Sequence, residues 1–412
     1  MVSRQPEATV VSSSILSSLE TRHFGRLWLS GFLWNVTRWM GLFISAYLVN
    51  DLTGSPLQVQ LVGSAVFAPM LIGSALAGAI ADRFDRRRTL ITVLALLAAA
   101  SAVMATIVLM GAVQGWMVYV YGATLGFGGV VDLTSRRPFI FDLVGEQRVT
   151  NALALESFGL SFGNVLGAGT GGAIIALLGI GQAFVAIAVC YVFATALMLS
   201  VAPVARLVAA RAGTSSILQD LREGLRYVRG DRTQVSLMGV TVVVNLFFFS
   251  FVPIVPVIAD DLGVGAFLAG VLGSGMGVGM LAGSIAIAAR PQWHRGALFA
   301  GGSFVAIACL VPFAAFASYP VALIAIIAAG VGVVGFATMQ SVLVMVIAGP
   351  ALQSRAMGVM GMAIGALPIG MASLGFLAEG IGPRPALLLT LGLGMVALLA
   401  FLSWRPEAAR VR

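Results

Sequence analysis

Apolar stretches of membrane-spanning length recur along this chain, with short polar breaks between them. They fall near residues 24–49, 57–81, 89–111, 115–135, 150–178 and 182–202, and again near 233–258, 265–289, 296–316, 321–348, 356–379 and 385–403. A helix needs about 20 mostly apolar residues to cross the hydrocarbon core of a bilayer, because each residue adds about 1.5 Å. The pattern therefore predicts an all-α membrane protein with twelve transmembrane helices. Residues 1–23 and 404–412 are polar ends, and 203–232 is the one long polar connection. That connection separates two six-helix bundles, 24–202 and 233–403. Residues 1–20 are polar and Ser-rich with no apolar run, so no cleavable signal peptide is expected.

The polar breaks also set an orientation. Every basic residue is an arginine, and with the N-terminus inside, 22 of the 24 fall on segments facing the cytoplasm. Arg384 alone lies outside, and Arg38 lies within the first helix. Positive charge is retained on the cytoplasmic side, so both termini are expected there. In the connection, Ile217, Leu218, Leu221, Leu225 and Val228 form one apolar stripe at helical spacing, with Arg222, Arg226 and Arg229 opposite. This reads as an amphipathic helix lying on the inner membrane surface.

Composition narrows the function class. Hydrophobic residues make up 59% of the chain and charged residues 10%, against roughly 25% charged in a soluble domain. The mean hydropathy is +1.01. A soluble enzyme, a disordered chain and a disulfide scaffold are excluded. A net charge of +8 would suggest nucleic acid in a soluble protein; here the topogenic arginines account for it, and no nucleic-acid partner is expected. Cys190 and Cys309 sit inside apolar runs, and no Cys/His cluster suggests a metal. No ATP-binding motif or catalytic triad appears, so neither an enzyme nor a cofactor is expected.

The halves show faint repetition. Leu76-Ala77-Gly78 recurs as Leu281-Ala282-Gly283, Gly179-Ile180-Gly181 as Gly380-Ile381-Gly382, and Arg148 before helix 5 as Arg355 before helix 11. Repeated halves fit a transporter that rocks one bundle against the other around a midplane site.

The stretch after helix 2 contains Gly78, Asp82, Arg83, Asp85, Arg86, Arg87 and Arg88. It resembles motif A of the major facilitator superfamily, close to GxLADRxGRR, with Asp85 where that pattern has glycine. The resemblance implies a gating latch in Gly78, Asp82, Arg83 and Arg86, whose charge contacts form in one conformation and break in another. Asp51 to Pro56 after helix 1, then Asp132, Arg136 and Phe139, then Leu143-Val144, Asn151-Ala152 and Leu155-Glu156-Ser157 resemble the enterobactin-exporter-like branch. That branch is the transmembrane secretion effector, or drug:proton antiporter-3, group. Gly163, Gly167, Gly171 and Gly172 in helix 5 are similar to motif C of proton-driven exporters, with Ala168 in place of its proline and Asn164 where the branch often has arginine. These glycines would let helix 5 close against helix 8 or 11 at the inner side.

Ionisable residues within spans are costly and usually face a cavity. Arg38 in mid helix 1, Asp132 near the end of helix 4 and Glu156 near the start of helix 5 are the candidates for proton coupling. Asp132 and Arg136 have the i,i+4 spacing of a pair on one helix face. Arg38 and Glu156 both depart from the branch pattern, which suggests a compensated pair across helices 1 and 5. Glu156 would then be a protonatable coupling carboxylate, with Arg38 its partner or an anion-binding group. The alternative is a static salt bridge or a Glu156 that snorkels to the inner face.

An apolar cavity is expected around Trp34, Trp39, Tyr47, Phe127, Phe158 and Phe162 of the first half, with Asn245, Phe247, Phe248, Phe249, Phe251, Met339 and Gln340 of the second. Such aromatic and methionine surfaces hold amphiphiles by adaptable packing. Pro253 and Pro256 in helix 7 and Pro368 in helix 11 are expected to kink their helices. The resulting expectation is a monomeric, multi-pass protein of the bacterial cytoplasmic membrane. It would export small amphiphilic compounds, drugs or a secreted metabolite such as a siderophore, in exchange for protons. An uncoupled facilitator or importer and a lipid flippase remain alternatives.

Overall fold

The computed structural model describes residues 17–83, 85–203, 217–289 and 294–411, leaving aside the side chains of 17, 72–83, 217–222, 224, 350–352, 354 and 355. All regular structure among these residues is helical. The first half comprises α1 (Phe24–Thr53), α2 (Pro56–Arg83), α3 (Arg86–Leu109), α4 (Gly115–Val144), α5 (Val149–Leu178) and α6 (Ile180–Leu199). After α7 (Ile217–Gly230) come α8 (Arg232–Val243), α9 (Val255–Asp261), α10 (Ala266–Ala288), α11 (Arg295–Ala315), α12 (Tyr319–Ile364), α13 (Leu367–Ile381) and α14 (Pro383–Trp404).

Local chemistry sets the helix ends. Gly54, at φ 60°, closes α1 by donating its N–H to Asn50 O. The Asp85 carboxylate caps α3 by accepting from Arg88 N at 2.8 Å, and Asp231 caps α8 through Thr233 N and Gln234 N. α12 breaks at Gly349 (φ 63°, ψ 169°), since the proline that follows disfavours helical geometry there. Between α8 and α9 the chain passes through a π turn (Val244–Phe248) and a 3-10 turn (Phe249–Ile254). Pro253 and Pro256, which lack N–H donors, lie at the far side of this irregular stretch. Pro368 opens α13, just past a break after Ile364.

Ten helices among the described residues are long and apolar enough to cross a membrane, and Pro56–Leu71 of α2 adds a shorter apolar one. α1 lies outside this set, and Asn35 and Arg38 lower its apolarity. Each half packs mainly on itself: α1 against α5 and α6, α3 against α6, and α2 against α4, with α12 against α10 and α11 in the second. The halves meet along α5–α10 and α2–α13. α7 joins them, with Val228 buried, Arg226 and Arg229 exposed, and Tyr227 Oη donating to Ile347 O. Its other stripe residues, Ile217, Leu218 and Leu221, and Arg222 lie outside the described side chains.

The arginines gather at one end of the bundle, where α1, α3, α5 and α8 begin. Arg87 donates to Val201 O and Leu199 O, and Arg26 to Ser200 O, so two guanidinium groups sit on the carbonyl end of α6. Arg384 is at the opposite end, paired with Asp261.

Candidate functional site

Four charged side chains collect where α1, α4 and α5 meet. Asp132 and Arg136 are one turn apart on α4, so their side chains share a face. Arg136 Nε and Nη2 reach Asp132 Oδ1 at 2.9 and 2.5 Å, and Nη1 donates to Leu27 O at 3.2 Å. Both residues are buried, and the guanidinium lies flat against Gly31 of α1. Glu156 of α5 borders the same small cleft with Trp28, Asn35 and Gly159. Its Oε1 is 4.0 Å from Arg137 Nε, and its Oε2 is buried without a hydrogen-bond partner among the described residues. Trp28 Nε1 donates to Leu155 O at 2.9 Å, holding α1 on α5 beside it.

Arg38 and Glu156 do not meet. α1 and α5 run in parallel, with Gly159 beside Trp28, Gly163 beside Asn35 and Gly167 beside Trp39. Arg38 is thus level with about residue 166 of α5. At 1.5 Å per residue that is roughly 15 Å along the axis from Glu156, beyond an arginine's reach. The guanidinium instead lies about 6 Å from the rings of Trp39 and Phe67, packed against Gly129 of α4. It has no hydrogen bond or ion pair among the described residues.

Of the motif A residues, Gly78, Asp82 and Arg83 lie outside the described side chains. Arg86 Nη1 pairs with Asp142 Oδ2 of α4 at 2.5 Å and donates to Pro138 O. Asp142 carried no signal in the sequence beyond a lone acid near a span end.

The glycines of α5 serve two faces rather than one groove. Gly163, Gly167 and Gly171, four residues apart, stack along α1: a Cβ on Gly163 would lie 2.6 Å from Asn35 Cβ, and one on Gly167 2.8 Å from Met40 N. Gly172 is nine residues from Gly163, half a rotation around the helix. It faces α10, where a Cβ would run into Ala266 O and come within 2.7 Å of Gly270 Cα. This contact lies at the end opposite the arginines, not at the arginine-rich end where the sequence placed the closure.

The other contacts between halves lie from that end to mid-span. Ser55 Oγ and Leu57 N donate to Glu379 Oε2, and Asn50 Nδ2 to Asp260 Oδ2. Gln60 Nε2 donates to Ser250 O, Ser64 Oγ to Pro368 O and Ser274 Oγ to Val165 O. Among the described residues, no hydrogen bond joins the halves at the arginine-rich end.

At mid-span the halves enclose an apolar cavity of about 40 Å³. Trp39, Phe43 and Asn164 line it from one half, and Phe251, Pro253 and Met276 from the other. A drug-sized molecule needs about 300–1,000 Å³, so this conformation is contracted around the space. Of the expected cavity residues, Trp39 and Phe251 line it. Trp34 is buried against Tyr191, and Phe248 among Phe249 and Phe251. Asn245 Nδ2 donates to Thr241 O, and Gln340 Nε2 to Thr241 Oγ1, so both amides are used inside the second half. Phe127 and Phe158 are exposed, Phe158 packs tilted against Phe162 with ring centroids 4.4 Å apart, and Met339 is half-buried.

Comparison with known proteins fits this architecture. The chain belongs to the transmembrane secretion effector family of the major facilitator superfamily, whose family model matches residues 13–409. It is therefore a multi-pass membrane protein with the family and fold of transporters rather than enzymes. The Staphyloferrin A transporter of Staphylococcus aureus (strain NCTC 8325 / PS 47) is 25% identical over 171 residues. The match spans 41% of this chain and 43% of that relative. Solved structures share the fold. A D-xylose-proton symporter aligns over 97% of this chain and 100% of its own, with TM-score 0.69 and 17% identity. The nucleoside transporter NupG aligns over 93% of this chain and 98% of its own, with TM-score 0.68 and 15% identity.

Proposed function

We propose that this chain exports small amphiphilic compounds across a bacterial cytoplasmic membrane by alternating access, in exchange for protons. Twelve spans with both termini inside, in two six-helix halves, form the frame of this reading. The clustering of arginines at one end supports that orientation.

One observation carries the reading. Described hydrogen bonds between the halves are confined to the end opposite the arginines and to mid-span, above a contracted aromatic cavity. Halves whose described hydrogen bonds run only from one end to mid-span fit a rocking transporter in one of its two states. The apolar lining suits amphiphiles rather than sugars. The family and the Staphyloferrin A transporter relative are compatible with a secreted metabolite such as a siderophore as cargo. Glu156 is the coupling carboxylate in this reading: its second oxygen has no hydrogen-bond partner among the described residues, and Arg137, the cation in ion-pair range, is loosely held and half exposed. An uncoupled facilitator shares the geometry but leaves that oxygen without a role.

The test is uptake into inverted membrane vesicles. A labelled amphipathic dye should accumulate in vesicles carrying this protein when the interior is acidified, and stop when the gradient is collapsed. Accumulation indifferent to the gradient would leave an uncoupled facilitator.

A further inference from the structure

Arg38 is the one cation held at mid-span among the described residues. It lies near the middle of α1, half-buried, with five donors and no described acceptor. Its neighbours include the Trp39 and Phe67 rings, the backbone of Gly129 and, within Coulombic reach, the buried Tyr191 hydroxyl. Phe67 is one turn from Gly63 and Ser64 on α2. Ser64 bonds to Pro368 O, and Gly63 lies against Pro253 and Met371, all of the other half. Phe67 beside the guanidinium is thus one turn from the interface between halves, and Trp39, next to Arg38 in sequence, lines the cavity.

Asp132 lies within Coulombic reach of Arg38, but both of its oxygens are already engaged by Arg136. Glu156 is beside Arg137 and far along the axis. Arg38, Asp132 and Arg136 together leave one positive charge in excess within the span. An uncompensated charge there is costly and calls for a counter-ion. A planar guanidinium fork fits a carboxylate, and flanking aromatic faces fit an apolar body.

We propose that Arg38 is the anion-binding group of the transport site, and that the cargo carries a carboxylate on an aromatic or apolar body. This rests on the transport reading above and specifies its substrate class.

The test uses three probes of one shape: indole-3-acetate, indole-3-acetamide and tryptamine. Binding of each to the full-length protein in lipid nanodiscs is measured by calorimetry. A charge-assisted contact is worth about 1.5–3 kcal/mol, so the acetate should bind about tenfold or more tighter than the amide, and tryptamine most weakly. Arg38→Gln should bring acetate and amide within about twofold while the amide itself still binds, which shows that the variant is folded. Arg38→Lys should keep part of the preference, because it keeps the charge but loses the fork. Wild type without preference for the acetate, or Arg38→Gln that retains it, overturns the proposal. If dye still accumulates in vesicles while the acetate is not preferred, the transport reading stands and only the substrate class fails.

Discussion

Glu379 of α13 sits on the first turn of α2, with its Oε2 2.9 Å from Ser55 Oγ. It is also 3.3 Å from Leu57 N, so a carboxylate of one half meets the N–H end of a helix from the other. Helix N-termini favour negative charge, and this contact holds the end opposite the arginines closed.

Because Glu379 is exposed, the contact is worth about 0.5–1 kcal/mol. Glu379→Gln should raise the population open at that end about two- to fivefold without unfolding the protein. Pulsed electron spin resonance distances between labels at positions 52 and 381 would report the change. An unaltered distance distribution would mean that Glu379 is not a latch.

Arg136 is a buried cation with one carboxylate partner. Removing Asp132 strands it, at a cost of about 3–5 kcal/mol. Asp132→Ala should lower the thermal unfolding temperature sharply. Arg137→Ala, at a residue whose side chain is 54% exposed, should barely move it. Equal effects would remove the special status of the α4 pair.

The two glycine faces of α5 should respond differently. Gly172→Val places methyl groups on Ala266 O and Gly270, so the halves cannot close at that end. The variant should fold, show increased thiol labelling of an introduced Asn50→Cys, and lose transport. Gly167→Val collides with the α1 backbone inside one half and should instead reduce folded yield. A Gly172→Val protein that closes and transports normally would contradict this division.

Helix positions were legible because apolar runs of membrane length leave few alternatives: the run at 89–111 is the helix Arg86–Leu109. The Asp132–Arg136 contact was legible because both residues share one helix and a fixed spacing. The separation of Arg38 from Glu156 was not, because helix register between α1 and α5 is set by glycine packing that a single sequence does not display. The two-sided use of the α5 glycines was open to simple angular arithmetic but hidden by the resemblance to a single motif. Asp142 and Glu379 stayed unseen because their partners, Arg86 and the α2 N-terminus, are distant in sequence.

Glu156 is the group proposed to couple cargo to protons. The most direct measurement follows a pH-sensitive dye inside inverted vesicles bearing an imposed proton gradient, with indole-3-acetate added to wild type and to Glu156→Gln. Cargo-dependent proton efflux is expected in wild type and none in the variant, while labelled acetate still equilibrates through it. Proton efflux persisting in Glu156→Gln would contradict this role and return Glu156 to a structural partner of Arg137.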